Sequence, residues 1–138
     1  MPLRPLAESD LDTVRRLRNA NREYFFDDAE VSAEQHAVWF RGLAAKPVDF
    51  YVIEDHGAVV GTVSATRSAA GVEIGNLALD PRSRGRGLMR TAVLQLTTAP
   101  GHYFAEVKAG NAPSVAVFEA TGFVIESAGD VIRLVKDV

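Results

Sequence analysis

The sequence predicts an α/β (α+β) domain in which a central mixed sheet carries helices on its faces. Three observations lead there. Apolar spacing switches between helical and strand periods in the order strand, two helices, three strands, helix, strand, helix, two strands, which is the pattern of a layered sheet. Turn and capping residues fall at the switches. The 138 residues show no repeat, no low-complexity tract and no linker longer than a few residues, so 1–138 is expected to be a single domain.

Each element has its own signature. "PLRPL" reads as a short edge strand, since proline is tolerated at edges and strand starts. Ser9 with Asp12 resembles a capping box, and Leu11, Val14 and Leu17 follow at helical spacing, predicting a helix from about Asp10 to Asn21. Ser32 with Gln35 is a second capping box. It opens a helix in which His36, Trp39, Phe40 and Leu43 share one face, closed near Lys46-Pro47. "FYVIE", the turn "DHG" and "AVVGTVSATR" read as a β-hairpin. "GVEIGNLAL" follows as a central strand. "LMRTAVLQLT" is a helix with Leu88, Ala92 and Leu96 near one face, ended by Pro100-Gly101. "HYFAEVKA" is a strand. "NAPSVAVFEATG" is a short helix with Asn111 as cap, Pro113 in its first turn and Gly122 past its end. "FVIES" and "VIRLV" close the chain as two strands around "AGD".

Composition narrows the function classes. With 47% hydrophobic and 24% charged residues the chain is expected to fold as an ordinary globular protein. It has no cysteine, which removes disulfides, thiolate metal sites and a cysteine nucleophile and suits a reducing cytoplasm. The three histidines, His36, His56 and His102, show no metal-ligand spacing, so no metal is expected. No signal peptide and no run of ~20 apolar residues is visible, so no membrane association is expected. The net charge of −3 argues against a nucleic-acid partner. Basicity is local: Arg82, Arg84, Arg86 and Arg90 lie within one short stretch, "RSRGRGLMR".

That stretch runs from a strand into a helix start. A helix N-terminus exposes unpaired N–H groups and about half a positive charge, so an anion belongs there. Gly85 and Gly87 allow positive φ and close approach of a ligand to the main chain, so that consecutive N–H groups converge. Four charge-assisted hydrogen bonds at ~1.5–3 kcal/mol give roughly 6–12 kcal/mol gross, against an association cost of about 4–15 kcal/mol. A phosphate alone would bind weakly. The expected ligand is long, with a diphosphate at the loop and its remainder along "NLAL". The spacing is neither G-x-x-x-x-G-K-[ST] nor G-x-G-x-x-G; it is Arg82-x-x-Gly85-x-Gly87.

"LALDPRSRGRGLMRTAV" resembles the acyl-CoA motif of the GNAT superfamily of N-acyltransferases, Arg or Gln-x-x-Gly-x-Gly or Ala. "NAPSVAVFEATGF", with Asn111, Phe118, Gly122 and Phe123, resembles the superfamily's later motif. "LRNANREYFFDDAEVSAEQHAVWF" is similar to the first part of members that acetylate aminosugars on nucleotide carriers and of ribosomal-protein alanine acetyltransferases, through "RN" and "HxxWF". The resemblance spans the chain. It implies the acyl-CoA N-acyltransferase fold, a mixed and mostly antiparallel sheet of about seven strands with helices on both faces.

The resemblance also implies an enzyme, an N-acetyltransferase that moves acetyl from acetyl-CoA to a primary amine by direct attack in a ternary complex. The acceptor would be a small molecule such as an aminosugar, or a protein N-terminus, and a homodimer is open as the assembly. Main-chain groups of Arg84, Gly85, Arg86, Gly87, Leu88 and Met89 would bind the diphosphate, and Leu77, Ala78 and Leu79 would run along the pantetheine. Asn111 and Phe118 would complete the cofactor site. Glu73 is the candidate base, and an N–H near Leu79 would polarise the carbonyl. Arg18, Asn19, His36 and Trp39 would line the acceptor side, with Tyr24, Phe25 and Phe26 as a loop over it and Asp27, Asp28 or Glu30 drawing in a cationic amine. Phe118 stands where the family carries a tyrosine acid. The thiolate then leaves unaided, takes a proton from water, or uses Tyr103 or another group; the alternative is a non-catalytic acyl-CoA-binding module.

Overall fold

The computed structural model describes residues 3–138. Its elements run β1 (Leu3–Pro5), α1 (Leu11–Ala20), α2 (Ala33–Leu43), β2 (Val48–Asp55), β3 (Ala58–Ser68), β4 (Gly71–Leu79), α3 (Leu88–Leu96), β5 (His102–Lys108), α4 (Ala112–Ala120), β6 (Val124–Ser127) and β7 (Val131–Asp137). Among these residues the strands form one seven-stranded sheet ordered β1-β2-β3-β4-β5-β7-β6. Every neighbouring pair is antiparallel except β4 and β5. The element order and the mixed, mostly antiparallel sheet agree with the sequence reading.

Local chemistry explains most boundaries. His56 and Gly57, with φ of 52° and 80°, join β2 to β3. A two-residue loop with both φ values positive matches the twist of the strands it connects. Ser32 Oγ accepts from Gln35 N–H at 3.2 Å and Gln35 Oε1 accepts from Ser32 N–H at 2.9 Å, so the second capping box forms. Asn111 Oδ1 caps α4 by accepting from Ser114 N–H at 3.2 Å. The first capping box does not form. Its place is taken by Asp10, which is buried, accepts from Ala7 N–H at 2.8 Å and binds both terminal nitrogens of Arg4 at 2.7 Å. A carboxylate that can join strand β1 to the helix start has more partners than the Ser9 hydroxyl would have in the expected box.

Alternation along the central strands divides the sheet into two faces. Ile53, Val63, Ala65 and Ile74 are buried with Met89, Ala92 and Val93 of α3 and with Phe118 and Phe123 of and beyond α4. Val52, Thr62 and Ala78 are register partners on the opposite face, and α1 lies against β3 and β4 with Val14 and Leu17 buried.

Two irregularities interrupt this regular frame. β4 pairs with β5 only at Val72↔Tyr103 and Glu73↔Phe104, and from residue 74 onward the two strands separate. In the same strand the β3 register shifts between Thr62 and Ser64. Asn76 occupies that bulge at φ 54°, a conformation asparagine tolerates better than most residues. Its C=O accepts from Thr62 Oγ1 at 2.8 Å and its Nδ2 donates to Ser64 Oγ at 2.8 Å. The bulge is therefore held on both sides.

The Asp10 cluster yields a stability test. The Arg4 guanidinium holds the Asp10 carboxyl below the usual carboxylate range, against the opposing effect of burial. Because Arg4 is about one-third exposed, solvent screens the pair. Asp10→Ala should cost about 2 kcal/mol by urea denaturation near neutral pH. A depressed folded-state value contributes stability above the unfolded value of about 4 and loses it as pH falls through the folded value. The gap between wild type and variant should therefore narrow progressively below about pH 4.

Candidate active site

The parting of β4 from β5 leaves main-chain groups in the middle of a sheet without a strand to bond. Asp80 N–H bonds Val60 C=O at 2.7 Å, and antiparallel alternation then turns Leu79 N–H away from β3, toward the gap. Leu79 C=O on that side accepts from Asn21 Nδ2 at 3.1 Å. The gap opens into two cavities. The first, of about 430 Å³, is lined by Leu77, Leu79, Gly85, Gly87, Leu88, Met89 and Arg90, among others. The second, of about 200 Å³, holds Glu73, Glu106, Thr66, Asn76, Phe25 and Phe118. Tyr24, Leu77, Asn111 and Ser114 line both, so the cavities meet at these four residues.

The first cavity is floored by the loop between β4 and α3. Asp80 Oδ1 accepts from Arg82 N–H at 3.0 Å and starts a single tight turn over Pro81–Ser83. Gly85 and Gly87 follow at φ 81° and 74°, and Gly87 is the residue from which α3 begins. A Cβ on Gly87 would stand 3.2 Å from Arg90 Nη2, whereas one on Gly85 meets nothing within 4 Å. The opening N–H groups of α3 thus lie beside open space at Gly85 and beside the Arg90 guanidinium at Gly87.

The arginines sort into separate tasks. Arg82 pairs with Asp80 at 2.9 Å and Arg86 with Asp55 at 2.5 Å, and each carboxyl is held low by its arginine. Arg84 Nη2 donates to Asn21 Oδ1 at 2.9 Å. Arg90 lines the cavity without a hydrogen-bond or ion-pair partner among the described residues, which leaves its guanidinium available to an anion. Arg86 and Ala78 do not line the cavity; Ala78 is buried on the α1 face.

The second cavity is built by register. Glu73 is the partner of both Thr66 in β3 and Phe104 in β5, and Glu106, two residues past Phe104, returns to the same face. Burial first, and then the neighbouring negative charge of Glu106, push the Glu73 carboxyl above its ordinary range, while Arg133 opposes them. Arg133 lies 3.8 Å from Glu106 and 3.2 Å from Glu126. A half-buried carboxylate with a raised pKa is a stronger base than an ordinary one.

The roof of this cavity is the connection between α1 and α2. Lys108 Nζ donates to Glu23 C=O at 3.1 Å and to Phe25 C=O at 3.3 Å, and lies 3.7 Å from Asp28. Arg18 stacks on Phe25 at 4.3 Å and donates to the carbonyls of Asp27 and Ala29. Asn19 Nδ2 and Oδ1 grip Val31 C=O and N–H at 3.0 and 2.9 Å. His36 is buried, stacked on Trp39 at 4.7 Å, and its pKa is lowered by burial. Trp39 meets Phe50 edge-on at 5.0 Å. The acceptor side was expected to include Arg18, Asn19, His36 and Trp39, yet none of the four lines either cavity. The polar atoms of Arg18 and Asn19 hold the loop's main chain, and the rings of His36 and Trp39 pack on one another and on Phe50. Of the expected loop residues Tyr24, Phe25 and Phe26 do face the cavity, Arg90 of the basic stretch lines the first cavity, and Glu106, Lys108, Asn21 and Ser114 were not anticipated as site residues.

Phe118 lies at the bottom of the second cavity, 1% exposed and edge-on to Phe123 at 5.0 Å, and does not reach the first. Tyr103 is no substitute for it, because its hydroxyl donates to Ala99 C=O at 2.7 Å and it lines neither cavity. Among the described residues no group of three or more histidine, cysteine or carboxylate side chains is placed to hold a metal.

Known proteins place this architecture. The fold is that of a ribosomal-protein-alanine N-acetyltransferase from Brucella melitensis, at a TM-score of 0.82 and 21% identity with 100% of each chain covered. It is also that of a spermidine N-acetyltransferase from Vibrio cholerae solved with CoA and spermine, at a TM-score of 0.79 and 22% identity over 98% of this chain and 94% of the other. A third is the Salmonella typhimurium protein yncA solved with its cofactor acetyl-CoA, at a TM-score of 0.76 and 16% identity over 98% and 92%. No curated protein sequence matches. The family model described as "Acetyltransferase (GNAT) family" matches residues 11–123, most of the chain, which therefore belongs to this family of acyl-CoA-dependent N-acetyltransferases.

Proposed function

We propose that the chain transfers acetyl from acetyl-CoA to a primary amine by direct attack in a ternary complex, and that it does so in the cytoplasm. The observation that carries this reading is the pair of joined cavities. One is a cradle of N–H groups and arginine at a helix start; the other holds a carboxylate whose pKa is raised by burial and by Glu106. When bound, acetyl-CoA supplies an acetyl thioester. The residues present fit it: Gly85 leaves open space beside the start of α3, Gly87 lets the Arg90 guanidinium lie against the main chain there, and the β4 edge left by β5 can take an extended chain alongside Leu77 and Leu79.

Arg84 to Met89, with Arg90, hold the diphosphate. Leu79 N–H, turned into the gap, is the donor that polarises the carbonyl. Glu73 takes the proton released by the amine, directly or through water. Its cavity also favours the acceptor, because Glu106 and Glu73 together attract amines that arrive as cations. An aminosugar and a protein N-terminus both satisfy that chemistry. Phe118 favours a second reading, an acyl-CoA-binding module without turnover.

Free thiol release from acetyl-CoA over a panel of amines separates the two. Turnover supports the transferase, and thermal stabilisation by CoA with no turnover on any amine supports the module. Glu73→Gln should lower kcat about 100-fold while leaving the acetyl-CoA Kd in place; an unchanged rate at neutral pH removes Glu73 as base. Gly87→Val forces a branched side chain into positive φ beside Arg90 and should weaken CoA binding at least ~100-fold by calorimetry. Glu106→Gln removes a charge that raises Glu73 and releases Arg133, and both effects lower the Glu73 pKa. The acid limb of the kcat/KM profile should therefore move to lower pH in that variant.

A further inference from the structure

The acetyl thioester must lie where the two cavities meet, since its diphosphate belongs to the first and the base to the second. Four residues line both: Tyr24, Leu77, Asn111 and Ser114. Leu77 has no proton to give. Asn111 Oδ1 is engaged in capping α4 at Ser114 N–H, and an amide is not an acid. Two hydroxyls remain. A phenol, ionising near about 10, is matched to a thiol near about 8.5, whereas an aliphatic hydroxyl is a far weaker acid.

Tyr24 is also held for the task. Its N–H bonds Asn21 C=O at 2.9 Å, and the Asn21 side chain is fixed to Leu17, Leu79 and Arg84. The carbonyls on either side of it, from Glu23 and Phe25, accept from Lys108 Nζ. Its hydroxyl, by contrast, has no hydrogen-bond partner among the described residues. The main chain of Tyr24 is pinned while its phenol is uncommitted at the junction.

We propose that Tyr24 is the catalytic residue that protonates the departing thiolate, a role open in this chain because Phe118 has no proton to give. The assignment rests on the acetyl-transfer reading above. As the amine nitrogen forms its bond to the acetyl carbon, Glu73 takes the proton that nitrogen sheds. The carbon–sulfur bond breaks with its electron pair going to sulfur, and the phenolic proton of Tyr24 moves to that sulfur. The phenoxide regains a proton from solvent, to which Glu73 returns its own.

The test is Tyr24→Phe, which removes only the hydroxyl. Its thermal midpoint and acetyl-CoA Kd should match wild type, and its kcat should fall about 100-fold. A readout independent of turnover uses CoA isotopically labelled at the thiol-bearing carbon and titrated by NMR. A phenol that donates to the bound sulfur favours the thiolate, so the bound thiol should ionise at lower pH in wild type than in Tyr24→Phe. An unchanged kcat, a superimposable thiol titration, or loss of rate in Ser114→Ala but not in Tyr24→Phe overturns the assignment. If wild type itself turns over no amine, the transferase reading falls and this one with it; if wild type turns over and Tyr24→Phe matches it, only this one falls.

Discussion

Buried main-chain N–H and C=O groups must be bonded, and the interior of a sheet is where strands normally bond one another. β4 breaks that arrangement. It is paired on both sides at Val72 and Glu73 and on one side only after them. Everything distinctive about the molecule follows from what replaces β5 there. Asn21 takes one of the freed carbonyls, the α3 loop closes the far end, and the rest of the edge is left for a ligand able to behave as a strand.

The same divergence spaces the two cavities along one strand. Glu73 sits at the last paired position, where register fixes it opposite Phe104 and beside Glu106. The glycine loop that leads into α3 sits at the opposite end of β4. The Asn76 bulge lies between the two, and its side chain and carbonyl are tied into β3. An ordered kink at that point lets Leu77 line both cavities while Ala78 remains in the opposite face of the sheet.

Legibility in the sequence tracked the distance over which each feature is determined. The strand-to-helix loop could be read because positive φ at Gly85 and Gly87 and the helix start after them are local properties. The caps at Ser32 and Asn111 were local as well, whereas the Ser9–Asp12 capping box at the first helix does not form because Asp10 finds its partner in strand β1. Arg82 and Arg86 looked like anion ligands, and their carboxylates, Asp80 and Asp55, lie two and thirty-one residues away. The acceptor side depended entirely on long pairings. Glu106 joins Glu73 through a two-residue parallel register, and Lys108 meets the Tyr24 loop across eighty-three residues or more. Arg18 and Asn19 were placed near the right loop, but sequence does not disclose whether a side chain faces a cavity or grips the backbone beneath it.

Asn21 has a further consequence. Its side-chain amide bonds the end of α1, the carbonyl of Leu79 and the guanidinium of Arg84, and its main-chain carbonyl accepts from Tyr24 N–H. The segment that carries Tyr24 and the loop that carries Arg84 therefore share a single joint. A ligand that shifts Asn21 in one cavity therefore shifts the lining of the other, and any factor by which occupancy of one changes the affinity of the other is returned in equal measure.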